Sequence, residues 1–151
     1  MIHLRRISYG STAAIVTSMA LIVGLDAAGS SKATVLTALL ITALADNLTD
    51  SLSIHIYQES ERLERRDAFI GTLSNFATRF LGCLTFIALV LALPRPIAVA
   101  ASLAWGLILL VLLTALLARD RGDSVASEVI KHLLAASAVL AISRGVATLL
   151  A

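Results

Sequence analysis

The sequence predicts an all-α polytopic membrane protein, one domain of five transmembrane helices over residues 1–151. Composition is the first reason: 58% of residues are hydrophobic and 15% charged, where soluble domains carry about 25% charged residues. The second is the recurrence of long apolar runs, Ala13 to Leu25, Ala33 to Ala45, Phe80 to Leu93, Ile97 to Ala118 and Leu133 to Ala151. A helix needs about 20 residues to cross the hydrocarbon core, so five crossings consume the chain and leave no room for a soluble domain. The third is charge asymmetry. Arg5, Arg6, Arg62, Arg65, Arg66, Arg119, Arg121 and Lys131 gather on one side of such a topology, and Lys32 and Arg95 on the other. Positive residues stay on the cytoplasmic side. The N-terminus is therefore expected in the cytoplasm and the C-terminus outside, in a bacterial inner membrane. The net charge of +2 records this bias and gives no reason to expect nucleic-acid binding.

The first span is expected from Ile7 to Leu25. Only Met1 to Arg6 precede it and no small-residue cleavage site follows, so it reads as an uncleaved span rather than a signal peptide. Gly10, Ala14 and Ser18 recur every four residues on it, with Ala13 and Thr17 beside them. Membrane helices associate through such small residues. The stripe is expected to contact its symmetry mate in a homodimer, or the polar face of the second span.

DAAGSSK (Asp26 to Lys32) is a turn, and the second span follows from Ala33 to Gln58. No Gly or Pro occurs from Ala33 to Arg66, and ESERLERR is rich in strong helix formers. This helix is expected to extend into the cytoplasm by roughly two turns, with Glu61 and Arg65 as an i,i+4 pair. The third span, Ala68 to Leu93, stops at Pro94, and Pro96 opens the fourth, Ile97 to Ala118. RDRGDS (Arg119 to Ser124) is a polar loop before the fifth, Val129 to Leu150. Cys83 is the only cysteine and is expected to be a small packing residue.

The candidate site lies in ITALADNLTDSLSIHIYQESE (Ile41 to Glu61). At 100° per residue, Thr42, Asp46, Thr49, Asp50, Ser53 and Tyr57 share one helix face, which Ser60 and Glu61 extend. A carboxylate within a span is costly, so it normally faces a partner, a cavity or an ion path. Two of them one turn apart repel unless a cation or proton lies between them. Asp46 and Asp50 are the first choices as cation ligands, with Thr49, Ser53 and Glu61 as further oxygen donors. Such a set suits manganese, magnesium, calcium or ferrous iron better than thiophilic metals. His55 lies about 180° from Asp46 on the wheel. With Glu59 it forms a second pair, read as a hydrogen-bonded interfacial histidine ahead of a metal ligand.

Arg79 sits in a third span whose first half is polar (Thr72, Ser74, Asn75, Thr78). It lies about 20 Å back from Pro94. Either it snorkels to the cytoplasmic boundary or it pairs with Asp46 or Asp50, neutralising them. Arg144 is expected to reach the outer headgroups.

The run RRISYGSTAAIVTSMALIVGLDAAGSSKATVLTALLITALADNLTDSLSIHIYQESE resembles the first two helices of vacuolar iron transporter-like proteins. The matching elements are Gly10, Ile15 to Leu25, Ala45-Asp46, Leu48, Leu52 and Ser60-Glu61. The resemblance implies five helices, a homodimer with a metal path between subunits, and exchange of Fe²⁺ or Mn²⁺ for protons, with no permanently bound cofactor. The chain departs from the family where Ala13-Ala14 replaces Asp-Gly, Thr49-Asp50 replaces Ser-Met and Ser53-Ile54 replaces Gly-Glu. Glu59 to Asp67 stands where plant members carry a cytoplasmic metal-binding domain. The main expectation is therefore a proton-coupled divalent-metal transporter rather than an enzyme. The alternative is a transport-inactive member serving as an accessory subunit with other membrane proteins. A third class, an intramembrane enzyme acting on diphosphate lipids, rests only on the spacing of DNLTD. No catalytic triad, phosphate loop or cysteine-rich metal motif is evident.

Overall fold

The computed structural model describes residues 2–61 and 64–151, with side chains from Ser11 onward. The described elements are all helical: α1 (Ile2–Ala27), α2 (Lys32–Ile41), a π-helical turn (Thr42–Asp46), α3 (Asn47–Ser60), α4 (Arg65–Ala92), α5 (Arg95–Arg121) and α6 (Val125–Leu150). Four segments, Lys32–Ser60, Arg65–Ala92, Arg95–Arg121 and Val125–Leu150, are long and apolar enough to cross a membrane. The protein is a multi-pass integral membrane protein. The expected first span starts among residues whose side chains lie outside the described set, as do Gly10, Arg5 and Arg6. Its described part, Ser11–Ala27, is apolar but shorter. Leucines and isoleucines point outward along the helices, as Leu134 and Ile142 do on α6, in keeping with a lipid surround.

α1 is the centre of the bundle and packs against α2, α4, α5 and α6. Small residues on both sides of each contact make this possible. Gly82 on α4 lies beside Ala14, Gly106 on α5 receives the Met19 thioether, and Gly24 on α1 receives Ser143 of α6. The Ser143 hydroxyl donates to the Ala20 carbonyl at 2.6 Å, and the Ser18 hydroxyl to Cys83 Sγ at 3.6 Å. This corrects the expectation that the α1 stripe joins two copies. Ala14 is 1% and Ser18 0% exposed, so the stripe is spent within the protomer. Cysteine at Ala14 or Ser18 is accordingly expected to give no disulfide between copies under mild oxidation. Efficient cross-linking at either position would show that α1 leaves the bundle core.

The loops at the Pro94 end are tied together. α1 closes with Gly29 at φ 70, where Ser30 N–H donates to Leu25 O and Gly29 N–H to Asp26 O. This left-handed closure favours glycine. The Ser31 hydroxyl then caps α2 by accepting from Thr34 N–H at 3.1 Å. Lys32 donates to the last carbonyls of α4, Leu91 at 2.9 Å and Leu93 at 3.2 Å, satisfying acceptors that a helix end leaves open. Arg95 binds the Asp26 carboxylate at 2.8 Å. Arg144 is exposed on α6.

The other end differs from expectation. Helix α3 stops at Ser60, Glu64 is extended (φ −58, ψ 136), and Arg65 begins α4. The helix predicted to continue through Arg66 is thus two helices. Glu61 and Arg65 belong to different elements, so the i,i+4 geometry does not arise. Propensity in ESERLERR is worth only tenths of a kcal/mol per residue; packing α3 back along α4 outweighs it.

Candidate functional site

The site forms where the π-turn meets α4. Asn47 N–H donates to Thr42 O and Leu44 O, passing over the Ala43 carbonyl between them. The Asn47 side chain fills that gap, its Nδ2 donating to Ala43 O at 3.0 Å. Its Oδ1 is left pointing at α4, where Arg79 Nε donates to it at 2.8 Å. The other guanidinium nitrogens reach the carboxylates: Nη1 to Asp50 Oδ2 at 2.7 Å and Nη2 to Asp46 Oδ2 at 3.3 Å. π-turns concentrate at functional sites, and here the wide turn brings Asp46, Asn47 and Asp50 to one guanidinium.

Arg79 is 4% exposed, Asp50 34% and Asp46 56%. The snorkelling reading of Arg79 is therefore overturned: the cation is buried and three-way bonded within the bundle. Two carboxylates against one guanidinium leave one negative charge in excess. Asp50 is the close partner. Asp46 is the longer and more exposed one.

Most of the predicted acidic face is exposed. Thr49, Ser53 and Tyr57 are exposed, as is Asp46, while the face of α3 that packs on α4 carries Asn47 and Ser51, at 0% and 1% exposure. The Thr49 and Ser53 hydroxyls donate to Ala45 O and Thr49 O, leaving their oxygen lone pairs free on the outer face. Glu61 caps the far end of α3, about 22 Å along the helix from Asp46, so the structure does not bring it to this site. Among the described residues no three His, Cys, Asp or Glu side chains gather in a way that could hold a metal ion.

Below Arg79 the α3/α4 contact is a polar ladder. Asn75 Nδ2 donates to Ser51 Oγ at 3.1 Å, and His55 Nδ1 meets Thr72 Oγ1 at 3.2 Å. The Thr72 hydroxyl also donates to Ala68 O at 2.9 Å. His55 Nε2 faces Glu59 Oε1 at 3.5 Å. His55 is thus the hydrogen-bonded interfacial histidine that its position suggested. Asn47 and Ser51 escaped the sequence reading because the wheel centred on the carboxylates. The signal that finds them is a four-residue step, Asn47, Ser51, His55, opposed by Thr72, Asn75, Arg79 on an antiparallel neighbour. No protein-family model, curated protein or solved structure matches this chain, so the functional reading rests on this site.

Proposed function

We propose that this chain is a divergent vacuolar iron transporter-like protein that crosses the membrane five times, N-terminus cytoplasmic and C-terminus outside. It moves a divalent cation, ferrous iron or manganese, in exchange for protons. The observation that carries this reading is the excess carboxylate at a buried arginine. A structural ion pair needs one carboxylate, and Asn47 already satisfies Nε. A second carboxylate inside a span is costly unless it exchanges its counter-ion. Arg79 is then a tethered cation that holds Asp50 and Asp46 while the site is empty of cargo, and the metal competes with it. One chain supplies too few ligands for such an ion. A second copy meeting the exposed Asp46, Thr49 and Ser53 face would raise the set to four carboxylates with hydroxyl oxygens, a donor set suited to manganese or ferrous iron.

The same ion pair also favours an accessory, transport-inactive subunit, in which Asp50–Arg79 only joins α3 to α4. Manganese uptake into proteoliposomes separates the two. The expected result is uptake by the wild type that is driven by a proton gradient and lost in Asp46→Asn and Asp50→Asn. A wild type with no uptake, and with a thermal stability no divalent metal alters, would leave the accessory reading.

A further inference from the structure

The ladder between α3 and α4 has more polar groups than its contacts satisfy. Asn75 is 1% exposed, and its Oδ1 has no hydrogen-bond partner; nor does the buried Oε1 of Gln58, one step closer to the Ser60 end. Exchanging the two amide atoms of Asn75 does not help, since Oδ1 would then accept from Ser51 and Nδ2 would be orphaned. An unmatched buried amide atom costs about 1–3 kcal/mol, and in native proteins an ordered water usually meets it. These groups are also in line. From the Ser60 end they run His55 with Glu59, then Thr72, then Ser51 with Asn75, then Asp50 at Arg79. The His55–Glu59 pair is the partly exposed end of this line. Beyond Arg79 the character changes: Cys83, Phe86 and Ile87 continue the α4 face, all buried and apolar. Asn47 Nδ2 touches Cys83 Sγ at 3.7 Å, so the dry region starts directly behind the guanidinium.

We propose that the α3/α4 seam is a hydrated half-channel for protons, open at the His55–Glu59 end and closed at its inner end by Arg79 with Asp46 and Asp50. It builds on the proton-exchange reading by naming the route through which one side of the membrane reaches the carboxylates. Water and hydronium are its occupants. The passage is lined by neutral donors and acceptors rather than by a row of anions, so it has no ligand set for a metal. His55 and Glu59 at the mouth, and Asp50, Asp46 and Arg79 at the closed end, are the charged or titratable groups along it.

Thiol labelling tests this without any transport measurement. In a Cys83→Ala background, Ser51→Cys and Asn75→Cys are treated with a small, water-soluble cationic methanethiosulfonate, beside Ala136→Cys, an equally buried position in the apolar core. Only a hydrated thiol ionises and reacts, so both seam cysteines are expected to label about tenfold or more faster than the control. Ser51→Cys is nearly isosteric and guards against misfolding at Asn75. In the otherwise unaltered protein the native Cys83 is expected to stay unlabelled, and to become reactive in Arg79→Gln with Asp50→Asn. Seam cysteines no faster than Ala136→Cys, or a Cys83 that labels with Arg79 in place, would overturn the half-channel. Because labelling needs no cargo, failure of metal uptake and failure of the half-channel are read separately.

Discussion

Arg79→Gln is expected to be the most damaging polar substitution in the chain, lowering stability by about 3–5 kcal/mol, the usual cost of removing one partner from a buried ion pair. The substitution leaves Asp50 facing Asp46 without a cation between them, and Asn47 Oδ1 without its donor at 2.8 Å. Asp50→Asn alone removes the 2.7 Å bond but leaves Arg79 both Asp46 and Asn47, so its cost is smaller. Adding Asp50→Asn to Arg79→Gln should restore part of the loss, because the unpaired charge at the tighter of the two contacts is removed and only the more exposed Asp46 remains. Thermal unfolding in one detergent gives the coupling between the sites. Manganese adds a second readout. If Arg79 is a tethered competitor for cargo, its removal opens the carboxylates, and excess Mn²⁺ should raise the melting temperature of Arg79→Gln more than that of the wild type. Equal loss in single and double variants, with no response to metal, would mean that the guanidinium is held by something other than these carboxylates.

The course of this pairing through the sequence shows what a one-dimensional reading reaches. Four of the spans, the turn at DAAGSSK, the stop at Pro94 and the loop before α6 were legible because Gly, Pro and charge punctuate apolar runs strongly. The Asp50–Arg79 contact was legible as one of two alternatives, since each charge is expensive within a span and each is the other's nearest remedy. The geometry that joins them was not. A wheel at 100° per residue assumes an unbroken α-helix, and the π-turn at Thr42–Asp46 changes the phase at the residues in question. TALAD carries no local signal for a wide turn; the turn persists because Asn47 and Arg79 bond across it. The end of α3 was misplaced for a related reason, as local propensity favours helix through Arg66 and tertiary pairing with α4 does not. The use of Ala14 and Ser18 depended on which of several small-residue faces met α1. The sequence offered small residues such as Gly82 and Gly106 without saying which would.

Gly106 is where that last choice can be tested with a large effect. A Cβ built there would run into the Met19 thioether, and would stand only 2.6 Å from Met19 Cγ. Met19 is 0% exposed, so although the side chain is flexible it has no empty space to move into. Gly106→Leu is therefore expected to force α5 away from α1 and to destabilise the protein by about 1–3 kcal/mol or more, the range for overpacking a filled core. Hydrophobic transfer does not offset this, since lipid is as apolar as the bundle interior and close packing supplies much of the drive for association. The diagnostic is compensation. Met19→Ala alone leaves a cavity and is also destabilising, yet combined with Gly106→Leu it should recover much of the lost stability, because the new side chain occupies the volume the old one vacates. Gly145→Leu is the control, since nothing lies within 4 Å of a Cβ at that position, and it should unfold at the temperature of the wild type. If the Gly106 and Met19 losses simply add, the two residues are not in contact, and the central position of α1 against α5 is wrong.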